Sequence, residues 1–215
     1  MNTAALASGR DVSGVTLLAV SKGQPLSLIQ AALALGLADF GENYVDEALA
    51  KIGALGSGAA RWHFIGRLQT NKTRPVAMHF DWVHGVDRLR IAERLSAQRP
   101  FHAPPLNVCV QVHIAEDPGK GGVAPAALLP LLQAIAPLPR LRLRGLMCML
   151  PRGLGETEQR TAFARLAGLA HQAHAGGLQL DTLSMGMSAD FEAAIMEGAT
   201  MVRIGSALFG DRMQP

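Results

Sequence analysis

The stretch LLAVSKGQP, residues 17–25, compresses a whole structural unit into nine positions. Leu17-Leu18-Ala19-Val20 is a short unbroken apolar run, as expected of a strand buried on both faces. Ser21-Lys22-Gly23-Gln24 is a polar turn. Pro25 then suits the first turn of a helix, where its missing N–H is no loss. Strand, turn and helix in that order make one βα unit, and the order recurs along the chain.

β-rich runs at 17–20, 38–41, 62–65, 82–85, 106–114, 141–149, 182–185 and 200–204 are separated by helical patterns. These helices are expected at 26–35, 44–52, after Asn71, and at 87–98, 125–136, 156–175 and 189–198. Asp87 stands where it would cap the fourth helix, and Pro125 opens the fifth. Repeated βα units imply a parallel sheet. About eight of them imply an α/β fold of the closed (β/α)8 TIM-barrel type, with an open doubly wound sheet as the alternative. No composition break marks a linker, so residues 1–215 read as a single domain.

The 215 residues are 49% hydrophobic and 17% charged, enough to bury a sizeable core and unlike a disordered chain. The net charge of +3 is dispersed. Its densest stretch, 140–144, alternates arginine with leucine as a strand edge would, and aromatics are too scarce for base stacking. The bias suits a small anionic ligand, and no nucleic acid is expected. Cys109 and Cys148 sit in separate apolar runs, as inert core thiols in a reducing compartment do. MNTAALASGRDV at the start lacks the pattern of a signal peptide, and no apolar run approaches the ~18 residues that span a bilayer. A soluble cytoplasmic protein with no membrane partner is the expectation.

In a TIM barrel the working face is formed by the loops leaving the strands' C-terminal ends. Those loops would carry Ser21-Lys22, Glu42-Asn43, Gly66 with Gln69 to Lys72, and His84-Gly85. Next come Glu116, Asp117 and Lys120, then Met147 to Met149. LSMGMSAD (183–190) and VRIGSALFG (202–210) complete the set. These last two put glycine and serine where a strand turns into a helix, and free amides with hydroxyls there make an anion site suited to phosphate. Lysine is nucleophilic only when neutral. Burial and a neighbouring cation favour that form, and strand eight would set Arg203 beside Lys22. A phosphate-bearing aldehyde would then form a Schiff base with Lys22.

Other polar residues have plainer readings. His171 and His174 fit a solvated helix face, and His63 and His84 fit satisfied core or rim positions. Glu42 and Asp190 read as helix-start carboxylates. Met147, Met149, Met185 and Met187 read as packing around the barrel mouth.

LLAVSK, FGENYVDEA (40–48), WHFIGRLQTNK (62–72), GLMCMLP (145–151), LSMGMSADFEAAI (183–195) and GATMVRIGSALFG (198–210) together resemble the pyridoxal phosphate homeostasis protein family. The resemblance implies a barrel like the N-terminal domain of alanine racemase, with pyridoxal 5′-phosphate held as a Schiff base on Lys22. It implies that Ser188, Gly205 and Ser206 hold the phosphate, and that Ser184, Met185 and Gly186 shape the site. Arg203 would face the pyridine nitrogen and Asn43 would lie near the ring.

A guanidinium there cannot take the ring's proton, so carbanion chemistry would be poorly supported. Racemases resembling this barrel carry a second domain with an acid–base tyrosine, whereas the only tyrosine here is Tyr44. A monomeric, non-catalytic carrier is therefore expected, one that regulates the intracellular cofactor and releases it to apo-enzymes. The alternatives are a minimal racemase dependent on the same cofactor, or a cofactor-free Schiff-base aldolase using the same lysine. The chain departs from the family in SKGQP, which lacks a second lysine, and in HIAEDPGKGG (113–122). The latter has His113, Ala115 and Gly121 in place of family residues but keeps Lys120, which reads as a solvated loop lysine or, alternatively, as a group that receives phosphate during release. The segment before the first strand is also short.

Overall fold

The computed structural model describes residues 1–56, 58–115 and 121–210. Eight strands run in chain order: β1 (Thr16–Val20), β2 (Asp39–Glu42), β3 (Arg61–Phe64), β4 (Trp82–Val86), β5 (Leu106–Gln111), β6 (Leu141–Met147), β7 (Thr182–Met187) and β8 (Met201–Ile204). Every neighbouring pair is parallel, and β8 pairs back onto β1, so the sheet closes. The open-sheet alternative is thereby excluded.

A short helix α1 (Asn2–Ala7) precedes β1. Helices α2 (Leu26–Ala34), α3 (Val45–Leu55), α4 (Thr73–His79), α5 (Leu89–Gln98), α6 (Pro125–Ile135), α7 (Glu156–Ala175), α8 (Phe191–Met196) and α9 (Ser206–Phe209) follow the strands in turn. α5 shows why they form: Ile91 and Ala92 are buried with Leu95 one turn further on, while Arg90 and Glu93 face solvent. Side chains such as Phe40, Val83, Val108 and Leu146 fill the main core with the helices' apolar stripes. Each such aliphatic or aromatic group contributes roughly 1.5–3 kcal/mol by leaving water.

Two smaller apolar clusters stand apart from that main core. Leu18, Ile65 and Met201 form one, with Val20 packed against it; Trp82, Cys109 and Met147 form the other, with Met149. Met185, by contrast, packs in the main core. Gly145 permits a close crossing of β6 and β7, since a Cβ there would lie 1.8 Å from the Thr182 carbonyl oxygen.

Several expected boundaries move for identifiable reasons. β2 begins and ends one residue later than expected because Asp39 pairs in register with Arg61. Glu42 therefore ends a strand and does not start a helix. β4 runs on to Val86, so Asp87 falls short of the cap position, which Arg88 occupies; Asp87 instead accepts a bond from Arg88. The 140–144 stretch is no sheet edge, because closure removes edges. Arg144 there binds Asp181 and Asn107 and lies over the Trp82 ring. Among the described residues no helix is long and apolar enough to cross a membrane.

Candidate functional site

Ser21 is fully buried, and its N–H extends the β1–β2 ladder by bonding the Gly41 carbonyl. The chain then turns back: Gln24 N–H bonds the Ser21 carbonyl, and Gly23 takes φ +69°, a conformation that favours glycine at the third position of a turn. Lys22 occupies the second position and is half-buried.

This turn is tied down from α3. Lys51 Nζ donates to the Ser21 carbonyl (2.7 Å), Glu42 Oε1 (2.8 Å) and Glu47 Oε1 (2.6 Å). Ser21 Oγ donates to Glu42 Oε1, and the Gly23 N–H donates to Glu47. Burial pushes the Glu42 carboxyl up, against the opposing pull of Lys51 and Ser21. The sequence reading missed Lys51 altogether. Its one local signal was the Glu47–Lys51 spacing, which places opposite charges one turn apart on a helix.

Asn43 follows β2 at the same end of the barrel. Its Oδ1 is buried without a hydrogen-bond partner, a costly state that a ligand donor would relieve. The loop after β3 passes directly over it, and a Cβ on Gly66 would meet the Asn43 carbonyl oxygen at 2.4 Å. Tyr44 beside it is largely exposed.

The two glycine–serine loops come together as expected. Gly205 N–H lies 3.4 Å from Ser188 Oγ, and Gly205 packs against Val20, the last residue of β1. Ser206 opens α9 and is exposed. Asp190 Oδ1 accepts the Met187 N–H, closing the turn that presents Ser188. Gly186 has φ +91°, and a Cβ there would sit 2.6 Å from that of Ala194. Ser184, Met185 and Gly186 belong to β7, which runs two residues further than expected, so they are strand and not loop residues.

Arg203 is buried, and Nη1 donates to the carbonyl (2.6 Å) and hydroxyl (2.8 Å) of Ser184. Nη2 donates to the Cys148 carbonyl (2.7 Å). These bonds leave guanidinium donors to spare, since arginine carries five. Burial lowers its pKa, yet a guanidinium stays charged. The expectation that Arg203 lies beside Lys22 needs correction. The register pairs Arg203 with Leu18, four residues before Lys22, and Lys22 lies beyond the end of β1 in the turn that follows it. The guanidinium also reaches toward β6 and β7, away from β1.

His63 and His84 are fully buried and hydrogen-bonded, as the core reading of them had it. Glu116, Asp117 and Lys120 lie outside the described residues.

Comparison with known proteins places the chain in a family. Residues 2–213 match the family described as alanine racemase, N-terminal domain. The chain is 56% identical over 209 residues to the pyridoxal phosphate homeostasis protein of Pseudomonas aeruginosa, covering 97% of this chain and 90% of that one. A structure of PipY of Synechococcus elongatus PCC7942 with PLP bound is 39% identical and superposes with a TM-score of 0.85, covering 97% and 98% of the two chains. Alanine racemase of Clostridium difficile shares the fold at 13% identity and a TM-score of 0.76, with this chain spanning 53% of its length. The chain belongs to the alanine racemase N-terminal-domain family and, within it, to the pyridoxal phosphate homeostasis proteins.

Proposed function

We propose that this protein binds pyridoxal 5′-phosphate, keeps the reactive aldehyde sequestered in the cytoplasm and releases it to apo-enzymes, without itself catalysing an amino-acid reaction. Its family membership and the PLP-bound relative support the ligand. The observation that carries the non-catalytic reading is Arg203, a buried guanidinium with unspent donors at the base of the mouth.

The donors fit the ligand's parts. Ser188 Oγ, the Gly205 amide and Ser206 would hold the phosphate, with Ser184, Met185 and Gly186 forming the strand that sets their position. Asn43 Oδ1 would lie beside the ring, and Arg203 would donate to its nitrogen. Lys22 Nζ is the amine that would take the aldehyde carbon. When bound, the cofactor supplies an electrophilic carbonyl and a pyridine ring able to withdraw electrons. Arg203 limits the second property. It donates hydrogen bonds and accepts no proton, so it favours an unprotonated ring nitrogen. A monomer with no nucleic-acid partner completes the proposal.

The test is the absorption spectrum of the purified, cofactor-loaded protein before and after borohydride, followed by peptide mapping. The expected result is a yellow protein with a pyridoxyl group fixed on Lys22, and a Lys22→Ala protein without that adduct. The same adduct in Lys22→Ala would overturn the site assignment. Multiple-turnover inversion of an amino acid would make the protein a racemase. A colourless protein that traps a carbonyl substrate on Lys22 would make it an aldolase.

A further inference from the structure

A column of buried polar side chains links five strands of the barrel. Near the strands' N-terminal ends, Asp39 receives Arg61 Nε at 2.7 Å and Nη2 at 2.6 Å, a bidentate pair. Asp39 Oδ1 also lies 3.0 Å from His63 Nε2. His63 Nδ1 lies 3.0 Å from His84 Nε2, and His84 Nδ1 lies 2.8 Å from Ser184 Oγ. Ser184 Oγ in turn accepts Arg203 Nη1 at 2.8 Å. Five side chains from β2, β3, β4, β7 and β8 are thus joined end to end. The His63 ring is held in plane by Trp82, stacked at 5.3 Å and 7°, over which Arg144 lies.

The direction of every bond follows from the ends. Burial pushes the Asp39 carboxyl up, but the hydrogen bonds from His63 and Arg61 and the Arg61 charge outweigh it and hold the group well below the ordinary carboxylate range. It is ionised and only accepts, so His63 must donate from Nε2. Burial lowers the pKa of both imidazoles, and each neutral ring has one N–H to give. His63 Nδ1 therefore accepts from His84 Nε2. His84 Nδ1 must accept in turn, which takes the hydroxyl proton of Ser184. The Ser184 oxygen is left as a pure acceptor for Arg203.

We propose that His63 and His84 are positioning residues for Arg203: both are Nε2–H tautomers in a one-way hydrogen-bond relay that ties the guanidinium, through Ser184, to the Asp39–Arg61 ion pair at the other end of the barrel. The ligand that Arg203 meets rests on the function proposed above; the relay does not. Without His84 the Ser184 hydroxyl loses its fixed direction, and the guanidinium loses an acceptor of defined orientation.

Two measurements test this. In ¹⁵N-histidine-labelled protein without cofactor at pH 7, two rings should show a bare Nδ1 and a protonated Nε2. An Nδ1–H tautomer or an imidazolium at His63 or His84 would overturn the relay. In the loaded protein, His84→Phe should shift the absorption band of bound pyridoxal phosphate and weaken its retention about tenfold, the scale of one hydrogen bond to a charged group. His84→Gln keeps one donor and one acceptor and should restore both. An unchanged band and retention in folded His84→Phe would refute positioning. If that variant fails to fold, Ser184→Ala, which keeps both rings, is read by the same criterion. A colourless wild-type protein would overturn the cofactor reading alone, and the tautomer spectrum would still decide the relay.

Discussion

Lys51 Nζ donates to the Ser21 carbonyl at 2.7 Å, so an ammonium on α3 holds the peptide unit immediately before Lys22. The same nitrogen neutralises Glu42 at the end of β2 and Glu47 on its own helix. One side chain therefore fixes the turn that presents the candidate nucleophile.

Lys51→Met leaves Glu42 buried without its cation, and losing one partner of such a pair costs about 3 kcal/mol. Urea unfolding should show that loss as a lower midpoint. Adding Glu42→Gln should recover part of it, because no carboxylate is then left buried alone. A double variant less stable than Lys51→Met would contradict this account.

Acid should destabilise the fold before carboxylates titrate. His63 and His84 both have folded-state pKa values below the ordinary 6.5, chiefly from burial. The unfolded chain then binds more protons, and stability falls as pH drops below 6.5 by up to about 1.4 kcal/mol per pH unit for each ring. Glu42, raised by burial, acts in the opposite sense between its folded value and the ordinary 4.5. Thermal melts from pH 7.5 to 5 should show a falling Tm, and His84→Phe should flatten the slope. A wild-type Tm that is constant over this range would refute the assignment.

Gly66→Ala should distort the mouth more than it disturbs the core. Its Cβ would collide with the Asn43 carbonyl oxygen, a backbone atom that cannot rotate aside. A stability loss of about 1–3 kcal/mol is expected, on the scale of overpacking. Equilibrium dialysis should show weakened pyridoxal phosphate binding in protein that remains folded by circular dichroism. Wild-type affinity in that variant would remove Asn43 from the site.

Neither thiol should react in the native protein. Cys109 and Cys148 are both buried, and burial pushes the Cys109 thiol up to about 12, while thiol reagents attack the thiolate. Titration with a chromogenic disulfide should find no rapidly reacting thiol in buffer and two in denaturant. A fast native reaction would show that one of these strands opens readily.

Much of this molecule was legible locally. LLAVSKGQP read as strand, turn and helix, and β1 and α2 fall within a residue of that reading. The helix at 156–175 matches α7 end to end. Turn chemistry also identified the Ser188 and Gly205 loops, because glycine and serine mark a strand-to-helix junction through local backbone preference. Where boundaries failed, at Glu42 and Asp87, the cause was a cross-strand register invisible within one segment.

The sequence by itself determined the eightfold alternation, the lysine that follows the first strand and the two glycine–serine loops, since periodicity, turn residues and chain order are properties of neighbours along the chain. Only the tertiary structure decided that Lys51 lies under Ser21, that Arg203 stands level with Leu18, and that Asp39, His63, His84, Ser184 and Arg203 form one column. The reason is barrel closure. The tilt and stagger that join β8 to β1 set which residues of distant strands share a level, and no short stretch of sequence carries that information.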